Sequence, residues 1–321
     1  MYQRFFGLRE SPFNVNPDPR FLLMTNQARE ALAALTYGIQ NRKGFILLTG
    51  EVGTGKTTLL NGLLDWLRRQ NGSTAFIFNS KLTENQLLDY VLADFGIPCK
   101  SREKSHVLLR LNQWLLERYR AGEPAVLIVD EAQNLSTDVL EEIRLLTNLE
   151  TATEKLLQIV LAGQPELEQK LKSPNLRQLR QRITLRCHTA PLTVSETYSY
   201  IAERLRTAGA NREPIFSKEA IETIHLYSQG IPRIVNLLCE HSLVNAYVEH
   251  VRPVPAHLVE EVAREFQLDE ITSPSVSSDT PLSAPGNPKA EAYLFLQNLN
   301  DLLGQLRQAA APPYEAGERK S

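Results

Sequence analysis

Apolar residues cluster in five short runs along the first 190 positions: Phe45–Thr49, Thr74–Asn79, Ala125–Asp130, Leu157–Gly163 and Thr184–His188. The runs at Phe45–Thr49, Ala125–Asp130 and Leu157–Gly163 are continuous rather than alternating and bounded by polar or glycine positions, which predicts strands buried on both faces of a sheet, and Thr74–Asn79 and Thr184–His188 are further strand candidates. The stretches between them, and Ala28–Gln40 before the first, repeat their apolar positions at helical spacing. Strand and helix therefore alternate, which predicts an α/β domain over 28–190 with a mainly parallel sheet covered by helices. From Pro191 onward the strands stop. The segments SETYSYIAERLRTAG, SKEAIETIHLYSQG, IPRIVNLLCEHSLVNAYVEH and PAHLVEEVAREFQL each open on a cap-like residue or a proline, predicting a separate helical domain over 191–268. Residues 1–27 carry aromatics and prolines without a period, and are expected to form an extended segment packed on the α/β domain. Residues 269–289 are a Ser/Pro-rich linker unable to bury a core. Within 290–321, Leu296, Leu299, Leu303 and Leu306 stripe one face of a single amphipathic tail helix, which is expected to dock on its own body or on a protein partner.

Composition narrows this picture only slightly. The 321 residues are 42% hydrophobic and 22% charged, enough for one large or two medium domains with a real core. No run of about 20 apolar residues is present, so no membrane span is expected, and the N-terminus lacks an export-signal pattern. Cys99, Cys187 and Cys239 are scattered without pairing or metal-ligand spacing, which fits a reducing, cytoplasmic setting.

The chemistry lies at two strand ends. After the first strand come Gly50, Glu51, Val52, Gly53, Thr54, Gly55, Lys56, Thr57 and Thr58, then an amphipathic helix. This is the P-loop pattern in its confirming strand-to-helix context. Glycines let backbone N–H groups turn toward an anion, the helix N-terminus points at it, Lys56 reaches the β- and γ-phosphates, and Thr57 is placed for Mg²⁺. A glycine-rich turn with no ligand does not explain lysine followed by threonine. The third apolar run ends on Asp130-Glu131. Magnesium accepts few protein carboxylates, so Asp130 suffices for it, and Glu131 is free to orient the water that attacks the γ-phosphate.

Three further polar residues stand at informative places. Gln164 follows the fourth strand; if that strand lies beside the P-loop strand, Gln164 faces the γ-phosphate, and otherwise it starts a turn with Pro165. Arg177, Arg180 and Arg182 crowd a short helix before the last strand, which carries Arg186. They read as a solvated basic face, as a phosphate-contacting nucleic-acid patch, or, for Arg182, as an arginine finger completing a neighbouring subunit's site. Arg233 falls in the first turn of a helix, where the dipole disfavours a cation, so it calls for a specific anion such as a γ-phosphate.

As a set, these residues with MYQRFFGLRESPFNVNPDPRFLL, VDEAQNLS, IRLLTNLET, LQIVLAGQPEL, LRQLRQRI and GIPRIVNLLC resemble the AAA+ ATPases of the general secretion pathway A, or ExeA-like, family over about residues 1–268. The resemblance implies a P-loop AAA+ αβα sandwich with a parallel five-stranded sheet in the order 5-1-4-3-2, and a C-terminal α-helical lid. It also implies ATP and Mg²⁺ as ligands, Walker A at Gly50–Thr57, Walker B at Asp130-Glu131, sensor 1 at Gln164, an arginine finger at Arg182 and sensor 2 at Arg233. Family members with a secretion role continue into a membrane span and a periplasmic domain. The linker and tail helix stand in that place here, so the expectation is a cytosolic motor or switch serving an envelope or exopolysaccharide export system.

Three classes follow. The first is a Mg²⁺-dependent ATPase that assembles into a ring or filament and remodels or times a partner complex. The second is a transposition-type regulator in which ATP licenses polymerisation on DNA; the net charge of −2 weighs against it, while the arginine stripe would serve it. The third is a slow nucleotide switch, against which Glu131 speaks, since a switch needs no second acid.

Overall fold

The computed structural model describes residues 1–268 apart from 15–17, 22, 79–81, 102 and 212. The expected linker and tail helix lie outside the described residues. Helices α1 (Tyr2–Phe6) and α2 (Asn26–Gln40) precede β1 (Phe45–Gly50), α3 (Lys56–Arg69), β2 (Ser73–Ile77), α4 (Glu84–Asp94), α5 (Lys104–Arg120) and β3 (Ala125–Val129). Then come α6 (Thr137–Leu146), β4 (Leu157–Gly163), α7 (Pro165–Leu171), α8 (Arg177–Arg182) and β5 (Ile183–Thr189). Helices α9 (Val194–Thr207), α10 (Lys218–Ser228), α11 (Pro232–Val248) and α12 (Ala256–Glu265) follow.

The sheet order is β2-β3-β4-β1-β5, and its strand pairs are all parallel. This is the 5-1-4-3-2 order. Because side chains alternate across a strand, each strand feeds two cores. Ile46, Leu48, Val126, Ile128, Val160 and Ala162 face α2 and α3, joining Leu35, Leu59 and Leu63. Phe45, Leu47, Leu127, Val129, Ile159 and Leu161 pack on the opposite side with Leu111, Leu115, Leu140 and Ile143. That is why these strands read as unbroken apolar runs. Strand β5, at the edge, is buried less completely and leaves Thr184, Arg186 and His188 exposed.

The four last helices share a third core containing Tyr200, Ile201, Ile224, Val235, Leu238, Leu243, Leu258 and Val262. The N-terminal segment differs from its expected form and place. Tyr2–Phe6 closes into a helix capped at Gly7, and Tyr2, Phe6, Leu8 and Phe13 enter the core of the helical part rather than that of the sheet. The physical reason is Arg204 of α9. Its buried guanidinium donates to the carbonyls of Pro12 at 2.6 Å and Asn14 at 3.3 Å and lies 4.7 Å from the Phe21 ring centroid. No helix among the described residues is long and apolar enough to cross a membrane.

Candidate active site

The pairing of β4 and β3 with their neighbours gathers the predicted residues at the carboxyl ends of the central strands. Thr49 of β1 pairs with Gly163 of β4, so Gln164 stands beside the start of the P-loop. On the other side of β4, β3 delivers Asp130 and Glu131 to the same edge.

In the P-loop, Gly53 and Gly55 have φ of 80° and 94°, left-handed values that glycine adopts without a Cβ penalty. They turn the chain so that α3 starts at Lys56. Lys56 is buried, and its ammonium donates to the carbonyls of Gly50 at 2.8 Å and Glu51 at 3.0 Å. Burial pulls its pKa below the ordinary lysine value, while Glu131, Asp130 and Glu51 work in the other direction. Thr54 donates to the Glu51 carbonyl and shares a 2.7 Å hydrogen bond with Thr189 at the end of β5.

Thr57 Oγ1 donates to Asp130 Oδ2 at 3.1 Å. Burial pushes the Asp130 carboxyl above its ordinary value, opposed by the Glu131 N–H, which donates to Oδ1 at 2.9 Å. A hydroxyl and a carboxylate converging beside the P-loop form an all-oxygen donor pair that fits Mg²⁺, an ion that takes one or two carboxylates and completes its shell with water and phosphate oxygens. Glu131 has φ 53° and ψ 36°, a left-handed conformation that costs a non-glycine residue about 1–3 kcal/mol and is held here by its bond to Asp130. Its Oε2 accepts from Gln164 Nε2 at 3.2 Å and from Gln133 Nε2 at 2.5 Å.

Arg233 also reaches this edge. Its backbone N–H donates to the Gly53 carbonyl at 3.2 Å, and the helix it opens has no side-chain cap and no acid in its first turn. Arg182 does not. It precedes Ile183, which pairs with Phe45 at the far end of β1, roughly 16 Å of strand away from Gly50. There its Nη1 donates to Thr147 Oγ1 at 2.6 Å and Asn148 Oδ1 at 2.8 Å. Beside Thr54 and Thr58, an open cleft is lined by Phe21, Leu59, Tyr200 and Arg204 among others, joining the P-loop to α9 and the N-terminal segment.

A family model described as an AAA domain matches residues 39–171. Over 248 residues the chain is 48% identical to general secretion pathway protein A of Aeromonas hydrophila, covering 77% of this chain and 45% of that protein. Residues 39–171 therefore match an AAA domain, and the chain is similar over most of its length to general secretion pathway protein A. It spans less than half the length of that relative. Solved structures share the fold at low identity. Cdc6p from Pyrobaculum aerophilum aligns with a TM-score of 0.58 at 17% identity, over 77% of this chain and 70% of that one. The RuvB Holliday junction branch migration motor of Thermotoga maritima gives 0.54 at 18%, over 79% and 73%.

Several polar residues of this site escaped sequence reasoning. Gln133 had no signal beyond its place two residues after Glu131. Lys170 of α7 donates to the carbonyls of Gln133, at 3.0 Å, and of Leu135. Under the P-loop, Thr49 Oγ1 donates to Glu168 Oε1 and hydrogen-bonds His188 Nδ1, both at 2.7 Å. The two Thr49 contacts join residues more than a hundred positions apart, brought together by the pairing of β1 with β4 and β5.

Proposed function

We propose that the chain is a Mg²⁺-dependent ATP hydrolase that works as an assembly of copies and powers or times a partner complex of envelope secretion or exopolysaccharide export, from the cytoplasmic side. The observation that carries this reading is Glu131, a second carboxylate held at the strand edge beside the Thr57–Asp130 pair and the Lys56 ammonium. In this reading the P-loop N–H groups and Lys56 bind the β- and γ-phosphates, and the base lies in the cleft lined by Tyr200 and Phe21. Thr57 and Asp130 would hold Mg²⁺, which when bound supplies charge neutralisation on the phosphates. Glu131 orients the attacking water, Gln164 holds it or reports the γ-phosphate, and Arg233 meets that phosphate from the helical lid. Arg182 serves a neighbouring copy, because in its own chain it stands at the opposite end of β1.

The reading is supported by the 48% identity to general secretion pathway protein A, and a cytoplasmic site of action by three free cysteines. It is tested by nucleotide affinity and phosphate release of wild type, Glu131→Gln and Lys56→Ala. Glu131→Gln is expected to bind ATP normally and lose most turnover, and Lys56→Ala to lose both. Wild-type hydrolysis by Glu131→Gln would overturn the assignment.

A second reading, an ATP-regulated DNA-binding protein, is favoured by one observation: Arg177, Arg180 and Arg186 are all exposed on α8 and the edge strand β5. ATP-dependent, salt-sensitive retention of labelled duplex DNA, lost on neutralising these arginines, would support it.

A further inference from the structure

We propose that Gln133 is a positioning residue for Glu131: its carboxamide bridges the end of β4 to the Glu131 carboxylate and fixes where that carboxylate stands relative to the P-loop. The proposal rests on the reading of Glu131 as the water-orienting group.

Gln133 lies in the short 3-10 turn Ala132–Asn134 that follows Glu131. Its Oε1 accepts the backbone N–H of Gln164 at 3.1 Å, and its Nε2 donates to Glu131 Oε2 at 2.5 Å. The orientation of this amide is determined by its partners: a backbone N–H can only donate and an ionised carboxylate can only accept. A side chain here therefore needs an acceptor and a donor on one planar group, which a glutamine provides and a leucine or a glutamate does not. The Gln164 side chain donates to the same Glu131 oxygen at 3.2 Å, so two amides converge on Oε2. Charge-assisted bonds of this kind are stronger and more directional than neutral ones.

Two further features keep the bridge in place. The turn is clamped from below, because Lys170 donates to the Gln133 carbonyl at 3.0 Å and also to that of Leu135. The end of β4 leaves it room: a Cβ on Gly163 would lie 2.7 Å from Gln133 Oε1. A polar loop residue with no task would require neither the clamp nor the glycine. The bridge also joins Gln164 and Glu131, the ends of β4 and β3, so a shift of either strand end reaches the carboxylate through it.

The test uses the full chain with Mg²⁺ and ATP, and compares wild type, Gln133→Ala, Gln133→Glu, Glu131→Gln and the double variant Glu131→Gln/Gln133→Ala. Misplacing a reacting group by about 1 Å costs on the order of a hundredfold in rate, so Gln133→Ala and Gln133→Glu are expected to lose that much in kcat. KM, nucleotide affinity and melting temperature should stay near wild type. In single-turnover measurements the double variant should be no slower than Glu131→Gln, because Gln133 acts through the carboxylate already removed. Gln133→Glu keeps the acceptor for the Gln164 N–H and the shape of the side chain, so it remains informative if Gln133→Ala folds poorly. Turnover of the Gln133 variants within about threefold of wild type, or a loss carried by KM, would overturn the proposal. So would a full further loss in the Glu131→Gln background. The two readings fail separately: a wild-type rate for Glu131→Gln defeats the role of Glu131 itself, whereas an inactive Glu131→Gln beside fully active Gln133 variants defeats only the bridge.

Discussion

The backbone N–H of Arg233 donates to the carbonyl oxygen of Gly53 at 3.2 Å, so the first turn of α11 is joined directly to the tip of the P-loop. An uncapped helix start finds an acceptor there, and the Arg233 side chain is left beside the P-loop. The contact is close: a Cβ on Gly53 would lie 2.7 Å from the Arg233 Cβ and 3.1 Å from Ile231 Cγ2.

Two substitutions at this junction should therefore act differently. Gly53→Ala forces a left-handed alanine against α11, and is expected to lower stability by roughly 1 kcal/mol or more and to weaken nucleotide binding with it. Arg233→Ala keeps the backbone bond and removes only the cation. It should leave the melting temperature in place while cutting turnover and the preference for ATP over ADP. Calorimetric binding of both nucleotides, with melting curves, separates the two, and an unchanged ATP preference in Arg233→Ala would remove this residue from the site.

Asp130→Asn is expected to keep the fold and to raise the Mg²⁺ concentration needed for half-maximal turnover. The carboxylate that accepts from Thr57 at 3.1 Å loses its charge, but the P-loop is untouched. Titration of Mg²⁺ at fixed ATP reads the effect, and chelation with EDTA should abolish wild-type turnover. An unchanged Mg²⁺ requirement in Asp130→Asn would argue against its role as a ligand.

Turnover per copy should rise with protein concentration if Arg182 completes the site of a neighbour. Arg182→Ala should bind ATP normally and stay slow at every concentration, and mixing it with Lys56→Ala should restore some activity, since each supplies what the other lacks. Concentration-independent wild-type rates would exclude this arrangement. The substitution also removes the bonds to Thr147 and Asn148, so a melting curve must accompany the assay.

What could be read in advance followed from local pattern. The central strands β1, β3 and β4 are continuous apolar runs because both faces of the sheet are covered there, and the P-loop declares itself because its glycines, lysine and threonine are close in sequence. Gln164 was placed by the rule for strand ends once β4 was taken as the neighbour of β1, and the register of Thr49 with Gly163 provides that placement. Gln133, Lys170 and the Thr49–His188–Glu168 cluster were not legible, because each depends on contacts between distant segments and on polar side chains that have no period. The N-terminal segment was put on the wrong core for a related reason. Its partner, Arg204, reads in sequence as an ordinary charged position of an amphipathic helix, whereas it is buried among Phe13, Phe21 and Tyr200.

The helical part should carry a pH dependence of its own through His225. Thr197 is fully buried, and its hydroxyl lies within hydrogen-bond distance of the Thr193 carbonyl at 3.0 Å and of His225 Nδ1 at 2.9 Å. Burial disfavours the imidazolium and lowers the His225 pKa below its ordinary value of 6.5. The unfolded chain therefore binds a proton on this residue at a higher pH than the folded chain does. Its contribution to stability is fully present above pH 6.5, begins to fall below it, and is lost as pH drops through the lower folded-state value. Melting temperatures of wild type and His225→Gln taken from pH 7.5 down to 5.5 isolate the effect, since the variant removes the titration and leaves every other ionisable group. The wild type should lose more on acidification than the variant does. Parallel curves over that range would mean that His225 titrates alike in the folded and unfolded chain.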